Sequence, residues 1–143
     1  MKYLLILALL ISCSSKTREC DVKCTDLNLL LILGQGECSI CNEEELINIM
    51  SVAMNRVRSK QFPNTLYEVV YQKNQFHGMY REHNESINMK VCKAAEYVLK
   101  NGSVLDTNIL GFLEESKIKN EKWYNQIKDS ILFKNQYHSF YTL

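Results

Sequence analysis

From Asn42 onward, the apolar residues Leu46, Ile47, Ile49, Met50, Val52, Ala53, Met54 and Val57 would cover more than half the circumference of a helix. A helix apolar over that much of its surface belongs at the centre of a fold, so the rest of the chain has to wrap around it. Asn42 suits its N-cap, and Glu43, Glu44 and Glu45 fall in the first turn, where the helix dipole favours negative charge. This acidic run reads as solvated helix surface.

The neighbouring segments supply the wrapping. Thr25 or Asp26 can cap a helix over 27–33 that is apolar on all sides and therefore buried, and Gly34-Gln35-Gly36 is expected to stop it. Phe62-Pro63-Asn64-Thr65 breaks the pattern and starts a short helix through Leu66, Val69 and Val70. A further helix is expected over about 88–100, closed by Asn101-Gly102. Beyond it, Ile109–Leu113 and 131–133 are short apolar runs suited to strands, separated by a polar stretch with Trp123 and Tyr124. Helices first and a small sheet late make an α+β domain.

The N-terminus bears on compartment. Met1-Lys2 precedes an apolar run over 3–11, and Leu10-Ile11-Ser12-Cys13 has the form of a bacterial lipoprotein signal. The run falls well short of the ~20 residues needed to span a bilayer. The expected organisation is a signal peptide over 1–12, a lipid-bearing polar tether with the first cysteine pair over 13–24, and one compact domain over 25–143. Export, with a membrane anchor at Cys13 and the domain facing the periplasm or cell wall, follows from this reading; the domain is expected to be a monomer. Lys and Arg number 17 against 16 Asp and Glu, and a balance that even argues against nucleic acid as a partner.

Besides Cys13 and Cys92, the cysteines form two close pairs, Cys20 with Cys24 and Cys38 with Cys41. In a reducing cytosol such spacing suggests a tetrahedral zinc site, whereas export favours disulfides. Spacing does not choose among the three pairings. Cys92, beside Val91, Ala94 and Ala95, reads as a buried, inert thiol. The three histidines show no metal-ligand spacing.

Glu37 follows the glycines at the end of a buried apolar helix. Burial and the negative end of the helix dipole both favour its protonated form, the state a general acid for glycoside cleavage needs. The wider pattern gives this glutamate a context. Gly36-Glu37, then Met54-Asn55-Arg56-Val57-Arg58-Ser59, Phe62-Pro63-Asn64-Thr65, Val69-Val70-Tyr71-Gln72, Gln75-Phe76 and the closing His138-Ser139-Phe140-Tyr141 occur in order. Together they resemble the signature of SleB-type cell wall hydrolases, the spore-cortex-lytic family.

That resemblance implies a lysozyme-like domain, mostly helical with a small late β-sheet, and a peptidoglycan substrate cleaved between N-acetylmuramic acid and N-acetylglucosamine. It implies a lytic transglycosylase with Glu37 as its one catalytic residue and no metal or organic cofactor. Gln72, Gln75, Phe76, His138 and Tyr141 become candidate substrate contacts, with Asn55 and Arg56 organising the fold nearby. The family usually carries a second glutamate in a Gly-Glu-x-x-Gly-Glu arrangement, and Ile40-Cys41 stand in its place here. Two other classes compete: a non-catalytic peptidoglycan-binding lipoprotein with a degenerate groove, and an interaction module held by zinc on Cys20, Cys24, Cys38 and Cys41.

Overall fold

The structure, a computed structural model, describes residues 25–80 and 86–143. Cys13, Cys20, Cys24 and the expected signal peptide lie outside these residues. No helix among those described is long and apolar enough to cross a membrane.

The Thr25 hydroxyl caps α1 (Asp26–Cys38) by accepting from the Asn28 N–H. Leu29, Leu30 and Leu33 are buried, and Leu27, Leu31 and Ile32 pack partly buried beside them. Contrary to expectation, α1 does not stop at Gly34-Gln35-Gly36 but runs through both glycines. Their role is close packing. A Cβ on Gly34 would strike the Met50 and Val91 side chains, and one on Gly36 would strike the backbone of Gly78. Each glycine costs roughly 1 kcal/mol of helix propensity, a loss that the packing it permits can offset.

The central helix is α2 (Glu43–Arg58), with Asn42 Oδ1 accepting from the Glu45 N–H at 2.8 Å. Leu46, Ile49, Met50, Val52 and Ala53 are all fully buried. Thr65 caps the short α3 (Leu66–Val70). Asn88 opens α4 (Met89–Asn101), which ends at Gly102 with φ 78°, a left-handed conformation suited to glycine. Helices α1, α2 and α4 pack against one another, and α2 also lies against β1. Cys92, on α4, is a half-buried free thiol rather than a core residue, because it falls between the buried positions Val91 and Ala94 and off the inward stripe.

Three antiparallel strands follow: β1 (Ile109–Leu113), β2 (Ile131–Lys134) and β3 (Ser139–Thr142), in the order β1-β3-β2. The middle strand is the C-terminal one, which the apolar-run reading passed over because only Phe140 and Tyr141 stand between Ser139 and Thr142. Phe140 sits opposite both Phe112 and Phe133, and its ring stacks on Phe133 with centroids 4.8 Å apart. The polar stretch between the outer strands forms α5 (Glu121–Ile127), capped by Asn120.

The β1–β3 register shifts between Ile109 and Gly111, where an irregular ladder leaves backbone groups needing other partners. α2 supplies them. Asn55 Nδ2 donates to the carbonyls of Asp106 at 2.8 Å and Ile109 at 3.1 Å, and Arg56 Nε donates to the Leu110 carbonyl at 2.7 Å. The helix and sheet are thereby fixed together at the point where Arg56 enters the site.

Candidate active site

Glu37 occupies the last turn of α1, inside the helix rather than after it, and is half-buried. Its Oε1 accepts from the Gly78 N–H at 2.7 Å. Gly78 belongs to a 3-10 turn, His77–Tyr80, that crosses α1 at Gly36. A side chain on either glycine would run into the other's backbone. Two glycines at the crossing therefore bring a backbone donor onto this carboxylate, and the geometry explains why Gly36 directly precedes Glu37.

Arg56 provides the positive charge of the site. Besides its bond to β1, Nη1 donates to Gln75 Oε1 at 2.9 Å. The guanidinium lies 4.8 Å from the Phe62 ring centroid and 4.9 Å from that of Phe76. Burial lowers its pKa from 12.5 to about 10, opposed by the charges of Tyr141 and Glu37, which both lie within electrostatic reach. Arg56 stays cationic at neutral pH. Tyr141 is itself 6% exposed; burial pushes its hydroxyl up, and Arg56 pulls it back down. Its ring covers Gly111, where no Cβ would fit, and its other neighbour is Trp123, edge-on at 6.3 Å.

The expected sugar contacts divide on burial. Gln75 is exposed and holds Arg56, while Gln72 is half-buried, its Oε1 a buried acceptor without a donor among the described residues. Phe76 is only 1% exposed, so its ring supports Arg56 and offers no face for a pyranose to stack on. His138 is 3% exposed, enclosed by Glu45 at 2.9 Å and by the Phe112 ring. It organises the interior. Conversely, Tyr67 and Tyr80 are 50% and 61% exposed, and with Tyr71 they form a row of rings with centroids 4.8 and 6.1 Å apart. The Tyr80 hydroxyl donates to the Tyr71 carbonyl. Sequence reading overlooked this row, although Tyr67 and Tyr71 stand one helical turn apart.

Glu45 corrects the reading of the acidic run as solvent-facing. It is fully buried, and Oε1 accepts from the backbone N–H groups of Tyr137 at 2.9 Å and His138 at 2.8 Å, with His138 Nδ1 at 2.9 Å. The periodicity held the signal: Glu45 shares a face with Ile49, Val52 and Arg56, all of them buried. Between the two glutamates, Cys38 and Cys41 form a disulfide, the local pairing among those possible. Cys41 Sγ lies 4.0 Å from His138 Nδ1.

Comparison with known proteins agrees with this architecture. The catalytic domain of the germination-specific lytic transglycosylase SleB from Bacillus anthracis superposes with a TM-score of 0.68 at 20% identity, covering 82% of this chain and 93% of that one. That likeness shows the lysozyme-like, mostly helical α+β fold. No curated protein matches the sequence. A family model described as cell wall hydrolase matches residues 42–141, a segment that takes in Arg56, Gln75, Gly78 and Tyr141 and begins just after Glu37. With most of its length matched, the chain belongs to the cell wall hydrolase family.

Proposed function

We propose that this cell wall enzyme cleaves peptidoglycan between N-acetylmuramic acid and N-acetylglucosamine as a lytic transglycosylase, with Glu37 as acid and then base. The observation that carries the reading is the half-buried Glu37 carboxylate, steadied through Oε1 by the Gly78 N–H and facing the Arg56 charge. A protonated Glu37 gives its proton to the glycosidic oxygen as that bond breaks. Positive charge develops on the sugar ring in the transition state, and the carboxylate left behind stabilises it. The carboxylate then takes the proton of the muramic acid 6-hydroxyl while that oxygen closes onto C1, leaving a 1,6-anhydro end. One residue performs both transfers, and the scheme draws on no metal or organic cofactor.

The Gly78 N–H bonds the Glu37 carboxylate directly, and a charge-assisted bond of that kind holds the group in place for the second half of the cycle. The exposed Tyr80 and Tyr67, with the half-buried Tyr71 between them, continue from the turn that bears Gly78, and the exposed rings offer the stacking surface that a glycan strand uses. The lipoprotein signal at Leu10-Ile11-Ser12-Cys13 supports export, with the domain tethered by lipid on the wall side of a membrane.

Digestion of purified peptidoglycan by the wild type and Glu37→Gln, with mass spectrometry of the released muropeptides, tests the proposal. Anhydro-ended products that fall at least about 100-fold in the variant support it. Reducing-end products would make the enzyme a hydrolase, and no products at all from a folded wild type would favour the binding-lipoprotein reading.

A further inference from the structure

Where the end of α1, the first turn of α2 and the start of β3 converge, three side chains with metal-binding chemistry meet, Cys38, Cys41 and His138, and the Glu45 carboxylate adjoins the group through His138. The sulfur atoms of the two cysteines and a ring nitrogen of His138 all lie within 4.8 Å of one another, and all three residues are buried. His138 Nδ1 is 4.0 Å from Cys41 Sγ and 2.9 Å from Glu45 Oε1. Among the described residues Glu45 Oε2 is buried without a hydrogen-bond partner, and a fully buried carboxylate with an unanswered oxygen is a costly group.

Zinc bonds of about 2.0–2.3 Å set tetrahedral ligand atoms about 3.3–3.8 Å apart, and Cys-x2-Cys is a common zinc-binding spacing. The nitrogen–sulfur separation of 4.0 Å lies just above that range, and the nitrogen–oxygen separation of 2.9 Å, a hydrogen bond, just below it. Binding therefore needs the hydrogen bond to give way by a few tenths of an ångström and the bonded sulfurs to part, which reduction allows. We propose that, once the Cys38–Cys41 disulfide is reduced, Cys38, Cys41, His138 through Nδ1 and Glu45 bind one zinc ion.

The steps balance with a dithiol as reductant. It delivers two electrons and two protons to the disulfide and is itself oxidised to a disulfide, leaving two thiols. Zinc displaces the two thiol protons, and His138 keeps its ring proton by shifting it from Nδ1 to Nε2. The ion answers the buried carboxylate and both thiolates. It would also tie α1 to α2 and β3 directly, where the disulfide spans only the four residues from Cys38 to Cys41. Glu37, the residue before Cys38, is thus anchored by a covalent link in the oxidised protein and by a metal in the reduced one. The proposal stands apart from the catalytic reading, and its readouts are spectroscopic.

The test titrates cobalt(II), a visible stand-in for zinc, into the full chain, reduced and oxidised. The expected result is one equivalent bound by the reduced chain, with tetrahedral d–d bands and thiolate-to-cobalt charge transfer, and none of these in the oxidised chain. Cys38→Ser should weaken the charge-transfer band, since only the Cys41 thiolate is left to give it, and His138→Gln and Glu45→Gln should each weaken binding at least about tenfold. X-ray absorption on the zinc-loaded wild type, which depends on no variant folding, should show two sulfur and two nitrogen or oxygen neighbours. Absent bands in the reduced chain would overturn the proposal. So would affinity unchanged by His138→Gln in a folded variant, or a four-sulfur shell, which would enlist Cys20 and Cys24 instead.

Discussion

Two glutamates flank the Cys38–Cys41 link, one in the last turn of α1 and one in the first turn of α2, and they make opposite use of the same chemistry. Both accept backbone N–H groups: Glu37 from Gly78, and Glu45 from Tyr137 and His138. Glu45 is sealed from solvent with His138 against the same oxygen, so its charge is committed to holding β3 onto α2. Glu37 remains half-exposed beside Arg56 and the turn that leads to the tyrosine row. Hydrogen bonding alone does not mark a working carboxylate. What separates the two is whether a substrate can reach the group.

The comparison breaks most visibly at Glu37. Glu37→Gln should lower peptidoglycan clearing at least about 100-fold while leaving the thermal midpoint nearly unchanged, as read by turbidity and a melt on the same sample. Glu45→Ala should do the reverse. It strands two backbone donors and a buried histidine and should cost about 3 kcal/mol in denaturant unfolding. Gly36→Ala probes the structure between them: overpacking against Gly78 should cost about 1–3 kcal/mol and displace the donor on Glu37, so stability and turnover fall together. At the small end, the Ser139 hydroxyl, followed by Lys134, holds the Glu115 carboxyl below its usual 4.5. A depressed carboxyl contributes stability above its unfolded pKa and loses it as pH falls through the folded one. Ser139→Ala should therefore move the Glu115 titration up toward 4.5, followed by NMR, and shrink that acid-side dependence.

Most of the framework was legible because local rules decide it. Thr25, Asn42, Thr65 and Asn88 each cap the helix expected near them, and an apolar surface over more than half its circumference places α2 at the centre. The sequence reading failed where partners are distant in the chain. Gly34 and Gly36 looked like a stop because their reason to be glycine lies in Met50, Val91 and Gly78. Glu45 looked solvated because the groups that answer it are more than ninety residues away. Strand β3 carries only two successive apolar residues, Phe140 and Tyr141, against three in β2, and its place between β1 and β2 is set by tertiary pairing. Phe76 and His138 were read as groove residues on motif position, which does not distinguish a side chain that meets the sugar from one that supports a neighbour.

The most direct test of the account measures turnover per folded molecule for Glu37→Gln and Glu45→Gln side by side, on peptidoglycan, with the folded fraction of each fixed by its own unfolding curve. The account predicts a folded, inactive Glu37→Gln and a less stable Glu45→Gln whose folded molecules still cleave. A Glu37→Gln that retains wild-type turnover, or a fully folded Glu45→Gln that has lost it, would contradict the assignment of the acid to Glu37.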